Sequence, residues 1–311
     1  MSDSTYCGGC GTEVAGPCRQ ALSRRGCIKV HWECWSDCNL NCPFCYRSIA
    51  RPLETDQALL LLRVIRTAGI QSIVFAGGDP SIRNDLNDIV GAARDLEMRI
   101  EIQTNGHRVR PRLLEVLRKA DMVGLSLDGE DAETHDRMRQ KPGNFRRVLE
   151  LMAALDEAHV PMIVRTVVTK VNVERIIGLC EVLSNVRHLT RWSIMEFIPA
   201  GQGALTSAVY SIDRGLFNRA FFAIERRFPR ENVVQAYRVE DRIGVYCLIG
   251  PDGQVFGTAG PGAAASHPVA GHALTNHIAA WSERLCFDTQ RHEKRYGADE
   301  VRSQLIASDL R

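Results

Sequence analysis

At 311 residues the chain is long enough for one large domain or two smaller ones. Its 45% hydrophobic and 24% charged content is ordinary for a soluble globular protein, and a net charge of +2 gives no reason to expect nucleic acid or a membrane surface as partner. No apolar run is long enough to span a bilayer, and residues 1–16 lack a basic-then-apolar leader, so a cytoplasmic location is the expectation. In a reducing compartment, 11 cysteines point to metal binding or catalysis before disulfides. Eight of them fall within the first 45 residues, whereas cysteines used as small core hydrophobes would be scattered.

Residues 1–27 form a Cys-rich extension. Cys7-Gly8-Gly9-Cys10, with Cys18 and Cys27 available, reads as a tail of free thiols, a zinc site or an auxiliary Fe–S cluster. From residue 28 the pattern alternates. A strand over 28–33 leads into Cys38-x3-Cys42-x2-Cys45. A helix over 54–68 has Ala58, Leu61, Leu62 and Ile65 at helical spacing and stops at Gly69. A strand over 72–76 runs into Gly77-Gly78-Asp79-Pro80, followed by a helix over 85–96. A strand over 99–103 ends at Thr104-Asn105-Gly106, before a helix over 112–119. Strand 122–127, helix 145–158, strand 161–168, helix 173–183, strand 192–198 and helix 213–228 complete the series.

Six β-then-α units predict an α/β fold, a parallel sheet with right-handed crossovers curled into a full or partial barrel. Residues at the strand ends would share one rim, where such folds carry their active sites. Residues 28–230 are the expected core and 231–311 an expected C-terminal cap. In that cap a hairpin pairs 243–249 with 254–257 around Gly250-Pro251-Asp252-Gly253, residues 258–273 read as a loop, and 274–285 and 300–307 read as short helices. His267, His272 and His277 read as surface residues or metal ligands.

Three thiolates at the spacing of Cys38, Cys42 and Cys45 can hold three irons of a [4Fe–4S] cluster and leave the fourth open. The same loop reads as half a zinc site, with Cys34 or an upstream cysteine as fourth ligand, or as a ferredoxin-type cluster. Gly77-Gly78-Asp79-Pro80 is either a plain turn or a place where the backbone approaches a ligand and a carboxylate meets an ammonium. Asn105-Gly106 and Asp128-Gly129 are turn dipeptides in their own right. Arg165 is a charge inside an apolar strand and needs a partner, unless it faces out through the helix layer. Glu196 reads as a substrate-facing acid–base group or as a salt-bridged surface residue.

Taken together, over roughly residues 28–228, these motifs resemble the radical S-adenosylmethionine (SAM) superfamily. The resemblance implies a partial (β/α)6 barrel, a [4Fe–4S] cluster on Cys38, Cys42 and Cys45, and SAM chelating the open iron. One electron from the reduced cluster would then cleave SAM and give a 5′-deoxyadenosyl radical that abstracts hydrogen from substrate. It assigns SAM contacts to Phe44, Gly77, Gly78, Asp79, Thr104, Asn105, Ser126, Asp128, Arg165 and Ile198. Asp79 departs from the family's usual glutamate by one methylene. An electron donor such as flavodoxin or ferredoxin is implied.

Cys247, the Pro251-Asp252-Gly253 turn, Gly271 and Trp281 resemble the C-terminal extension of peptide- and sugar-modifying branches. Thr258 stands where a second cysteine is expected and only Cys286 remains, so the cap reads as free of auxiliary clusters. The substrate reading is a small polar molecule, with the branch of nucleoside-antibiotic enzymes that decarboxylate cytosylglucuronate as the finer expectation. A viperin-like nucleotide dehydratase, a peptide-modifying enzyme and a non-catalytic Fe–S or zinc protein are the alternatives.

Overall fold

The computed structural model describes residues 29–108, 111–257, 269–275, 291, 292 and 295. Strands β1 (Lys29–Trp35), β2 (Ser72–Gly77), β3 (Arg99–Thr104), β4 (Met122–Ser126), β5 (Met162–Val168) and β6 (Leu189–Glu196) lie side by side in chain order, all parallel. The helices between and after them are α1 (Thr55–Thr67), α2 (Leu86–Asp95), α3 (Pro111–Leu117), α4 (Ala132–Arg139), α5 (Asn144–Glu157), α6 (Leu179–Ser184), α7 (Gln202–Leu205), α8 (Ser207–Tyr210) and α9 (Arg214–Arg227). The predicted six-unit α/β partial barrel is the observed fold.

The register explains how one sequence serves two faces. A strand alternates its side chains, and here one set is apolar. Val30, Trp32, Cys34, Ile73, Phe75, Ile100, Ile102, Val123, Leu125, Val164, Trp192 and Ile194 pack with Ala58, Leu61, Leu62 and Ile65 of α1 and with the apolar stripes of α2, α5 and α9. The opposite set carries Lys29, His31, Glu33, Glu101, Gln103, Ser126, Arg165, Arg191 and Ser193. The barrel therefore has a dry layer under its helices and a polar inner face.

Beyond residue 230 the structure differs from the expected cap. Strand β7 (Val234–Tyr237) pairs in parallel with β6, and β8 (Cys247–Ile249) pairs in parallel with β1 at the other edge. Strands β9 (Gln254–Gly257) and β10 (Val269–His272) continue that edge antiparallel, giving the order β10-β9-β8-β1-β2-β3-β4-β5-β6-β7. The described part of 231–311 thus widens the sheet at both ends, and a boundary at 230 falls between paired strands. The predicted hairpin is present with a shorter first arm, and the predicted loop over 258–273 ends in β10.

The helix predicted over 173–183 starts late. Asn172 ties down the preceding turn, accepting from Thr169 N (2.8 Å) and donating to the carbonyls of Asp128 (2.8 Å) and Val167 (2.9 Å). Cys7, Cys10, Cys18, Cys27, Thr258, His267, His277, Trp281 and Cys286 lie outside the described residues, as do residues 276–285 and 300–307 of the two predicted C-terminal helices. No helix among the described residues is long and apolar enough to cross a membrane.

Candidate functional site

The cysteine loop leaves β1 at Trp35 and lies across the end of β2. Gly77 and Gly78 make that contact possible. Gly77 has φ +125, and any side chain there would run into the Trp35 carbonyl. A Cβ on Gly78 would overlap the Asp37 carbonyl and sit 2.5 Å from the Ser36 oxygen. In their absence Gly78 N donates to Trp35 O (2.6 Å) and Asp79 N to Asp37 O (2.9 Å). The close approach anticipated at these glycines is therefore to the cysteine loop's own backbone. The neck of the loop is closed by Arg83, which donates to the carbonyls of Cys34 (2.5 Å) and Leu53 (2.9 Å), one on each side of the cysteines. Its guanidinium pairs with Asp85 (2.6 Å) and lies over the Trp35 ring at 5.2 Å.

Asp79 was expected to meet an ammonium. Its side chain is instead fully buried and accepts from Ser81 N (2.8 Å), Thr104 Oγ1 (3.0 Å) and Asn105 N (2.8 Å). Burial pushes its pKa up, against these hydrogen bonds. The carboxylate thus shapes the Thr104-Asn105-Gly106 turn, and Thr104 is spent in that bond. Asn105 then reaches the cysteine loop, donating from Nδ2 to Cys38 Sγ (3.4 Å) and Asn39 Oδ1 (2.8 Å).

Cys38 and Cys45 are half-buried and Cys42 is buried. Cys38 Sγ also accepts from Leu40 N at 3.4 Å. Cys42 lies 3.9 Å from a guanidinium nitrogen of Arg139 and 3.8 Å from that residue's carbonyl. Burial pushes the Cys38 thiol up to about 11 and also raises Cys42. Buried thiols of this kind become thiolates when a cation takes the proton's place. Among the described residues no three His, Cys, Asp or Glu side chains converge as a single metal ion requires. A polynuclear cluster does not ask for that, since each thiolate binds a different iron. The donor set fits a [4Fe–4S] cluster.

Asp128 and Phe44 meet at Arg139. Asp128 is fully buried; one oxygen accepts from Val167 N (2.8 Å) and the other pairs with Arg139 (2.6 Å). The Phe44 ring is enclosed by the Arg139 guanidinium (5.2 Å) and Tyr210 (5.8 Å). Arg139 thus links Phe44 of the cysteine loop to the Asp128 carboxylate. Arg139 was not singled out from sequence. It ends α4, whose residues AETHDRMR have almost no apolar pattern; the only local signal is the cap, Asp131 accepting from Thr134 N.

Ser126, the last residue of β4, and Arg165, midway along β5, share the inner face and are paired in register. Arg165 rests over Gly124, where a Cβ would overlap its Nη1. Its Nη2 pairs with Glu101, which also meets Lys29 at 3.4 Å. Burial opposes ionisation of Glu101, but Arg165, Lys29 and Arg191 outweigh it and hold the carboxyl well below the usual range. Nη1 of Arg165 is buried without a hydrogen-bond partner among the described residues. The inner position is the first of the two sequence readings for this arginine; the outward one is not what is observed.

Glu196 was expected to face substrate. The register puts it opposite Val168, on the helix-facing side of β6 with Trp192 and Ile194. Its oxygens accept from Arg214 of α9 (3.1 Å) and Val239 N (2.9 Å). It fastens the end of β6 to the segment after β7. Ile198 is half-buried just beyond β6, and its carbonyl accepts from Ala200 N at 2.9 Å.

A parallel partial barrel with a three-cysteine loop after its first strand defines a class of cluster-dependent enzymes. Residues 32–183 match the family model described as Radical SAM superfamily. The chain is 29% identical over 204 residues to the AdoMet-dependent heme synthase of Methanosarcina barkeri, a stretch covering 63% of this chain and 58% of that protein. It is 24% identical to the S-adenosylmethionine-dependent nucleotide dehydratase of Lacinutrix mariniflava, over 74% of this chain and 50% of that one. The chain thus spans between half and three-fifths of these relatives' length. Its fold is that of Streptococcus suis SuiB bound to S-adenosylmethionine, with TM-score 0.64, 16% identity, and coverage of 88% of this chain and 68% of SuiB. The superfamily implies a [4Fe–4S] cluster and SAM; nothing in the comparisons bears on zinc at the N-terminal cysteines.

Proposed function

We propose that this chain is a radical SAM enzyme acting on a small, polar, anionic substrate held at the inner face of the barrel. When bound, the cluster supplies one electron that cleaves SAM to methionine and a 5′-deoxyadenosyl radical, the agent of hydrogen abstraction. The chain's own residues do the rest. Cys38, Cys42 and Cys45 hold the cluster; Gly77, Gly78 and Arg83 fix the loop that carries them; Asp79 and Thr104 set the turn from which Asn105 donates to the Cys38 sulfur. Ser126 at the end of β4 and Arg165, its partner midway along β5, are the candidates to bind the carboxylate of SAM.

The observation that carries the substrate reading is the charge of the inner face. Lys29, Arg165 and Arg191 lie around Glu101, while His31 is held neutral, burial lowering its pKa to about 3, and burial likewise raises the pKa of Glu33. Nη1 of Arg165, buried without a hydrogen-bond partner among the described residues, is the part of that charge that can meet an anion. Removal of a sugar carboxylate, as from cytosylglucuronate, fits that chemistry. A nucleotide substrate is the second reading, favoured by the breadth of the match to the nucleotide dehydratase, 74% of this chain. The test is a panel of cytosylglucuronate, nucleoside triphosphates and a neutral peptide given to anaerobically reconstituted protein with SAM and reductant. An anionic member should raise 5′-deoxyadenosine above the substrate-free background. Stimulation by the neutral peptide alone would refute the reading.

A further inference from the structure

Arg83 holds the neck of the cysteine loop, and a second buried cation, Arg139, lies against one of its sulfurs in a placement that is built rather than incidental. Helix α4 starts at the Asp131 cap and ends where Gln140 turns into the left-handed region at φ 52, which delivers Arg139 to the underside of the loop. There the guanidinium lies between two negative groups. One nitrogen is 3.9 Å from the Cys42 sulfur, another 2.6 Å from the fully buried Asp128 carboxylate, and Phe44 covers its face. Its Nε is buried without a hydrogen-bond partner among the described residues. Burial works against the charge of Arg139, and Asp128 and Cys42 more than offset it.

We propose that Arg139 is a positioning residue that sets the reduction potential of the cluster through Cys42, with Asp128 moderating it. This rests on the reading that Cys38, Cys42 and Cys45 hold a [4Fe–4S] cluster. On reduction the cluster passes from the 2+ to the 1+ state, taking one electron from a low-potential one-electron donor. No bond is made or broken in that step, and the guanidinium keeps its proton throughout. A cation and an N–H donor beside a cluster sulfur favour the more negative, reduced state and raise the potential. Asp128, on the far side of the same guanidinium, partly cancels that effect.

The two residues therefore predict shifts of opposite sign. In anaerobically reconstituted protein, the midpoint potential is read by an electron-paramagnetic-resonance redox titration alongside iron and sulfide content. Arg139→Gln should move the potential to more negative values with iron content retained. Arg139→Lys, which keeps the charge but loses the fork, should fall between it and wild type. Asp128→Asn should move the potential to more positive values. Should Arg139→Gln lose the cluster, the Arg139→Lys and Asp128→Asn titrations decide the matter. A loaded cluster whose potential is unmoved, or moves with the same sign in the Arg139→Gln and Asp128→Asn proteins, overturns the proposal alone. A wild-type chain that takes up no cluster overturns the cluster assignment as well.

Discussion

Replacing Gly78 by alanine places a methyl group inside the backbone of the cysteine loop. The atoms it meets are the Asp37 carbonyl and, at 2.5 Å, the Ser36 oxygen, so no side-chain rotation relieves the overlap. The loop must lift, which loses the bonds from Gly78 N to Trp35 O and from Asp79 N to Asp37 O. Two backbone hydrogen bonds at about 1 kcal/mol each, with an overpacking cost of about 1–3 kcal/mol, give about 3–5 kcal/mol. That lies within the stability of most domains, about 5–15 kcal/mol, so the protein should fold with its loop displaced. Gly91 is the control. It lies inside α2 with nothing within 4 Å of its missing Cβ, and Gly91→Ala should stabilise the protein by about 0.5–1 kcal/mol. The assay is iron per chain after anaerobic reconstitution, with a thermal melt of each variant. Gly78→Ala should bind well under half the wild-type iron and Gly91→Ala all of it. A Gly78→Ala protein that loads fully and melts with wild type would refute the reasoning.

Arg83→Lys cannot serve both loop-neck carbonyls and Asp85, since a single ammonium lacks the fork geometry; the cluster should bleach several-fold faster on exposure to air, and an unchanged rate would argue against the clamp. Glu196→Gln should lower stability by about 1–3 kcal/mol through its bonds to Arg214 and Val239 while SAM cleavage persists; loss of cleavage at unchanged stability would restore an acid–base role. Burial lowers the pKa of both His31 and His135, the latter accepting from Asp128 N at 3.0 Å. The unfolded chain then binds more protons below about pH 6.5, so stability should fall as pH drops from there toward about 3. Denaturant midpoints at pH 7.5 and 5.5 check this, and His135→Gln should flatten the slope; a wild-type midpoint that rises on acidification contradicts it.

The six β–α units were legible because each helix carries an apolar stripe and each turn its glycine or asparagine, as with Ala58, Leu61, Leu62 and Ile65 before Gly69. Helix α4 was not, because what buries it is polar: His135 bonded to Asn144, and Arg139 bonded to Asp128. Strand β7 has four residues and no alternation, and only its pairing with β6 makes it a strand. At the site, residue types were readable and partners were not. Asp79, Asp128 and Glu196 were all recognisable as consequential acids, yet each also spends oxygens on donors outside its own motif: Thr104 and Asn105 for Asp79, Arg139 and Val167 for Asp128, Arg214 and Val239 for Glu196. Glu196 shows the sharpest limit. Its face depends on where β6 starts, and a strand predicted from 192 leaves the parity to be set by pairing with β5.

The central claim is that Cys38, Cys42 and Cys45 hold a cluster that cleaves SAM. The most direct measurement is 5′-deoxyadenosine and methionine released from SAM by the anaerobically reconstituted, reduced chain, compared with Cys42→Ala. Wild type should carry about four irons per chain and release both products, whereas Cys42→Ala should release neither. A fully loaded wild-type protein that leaves SAM intact, or a Cys42→Ala protein that cleaves it, would contradict the account.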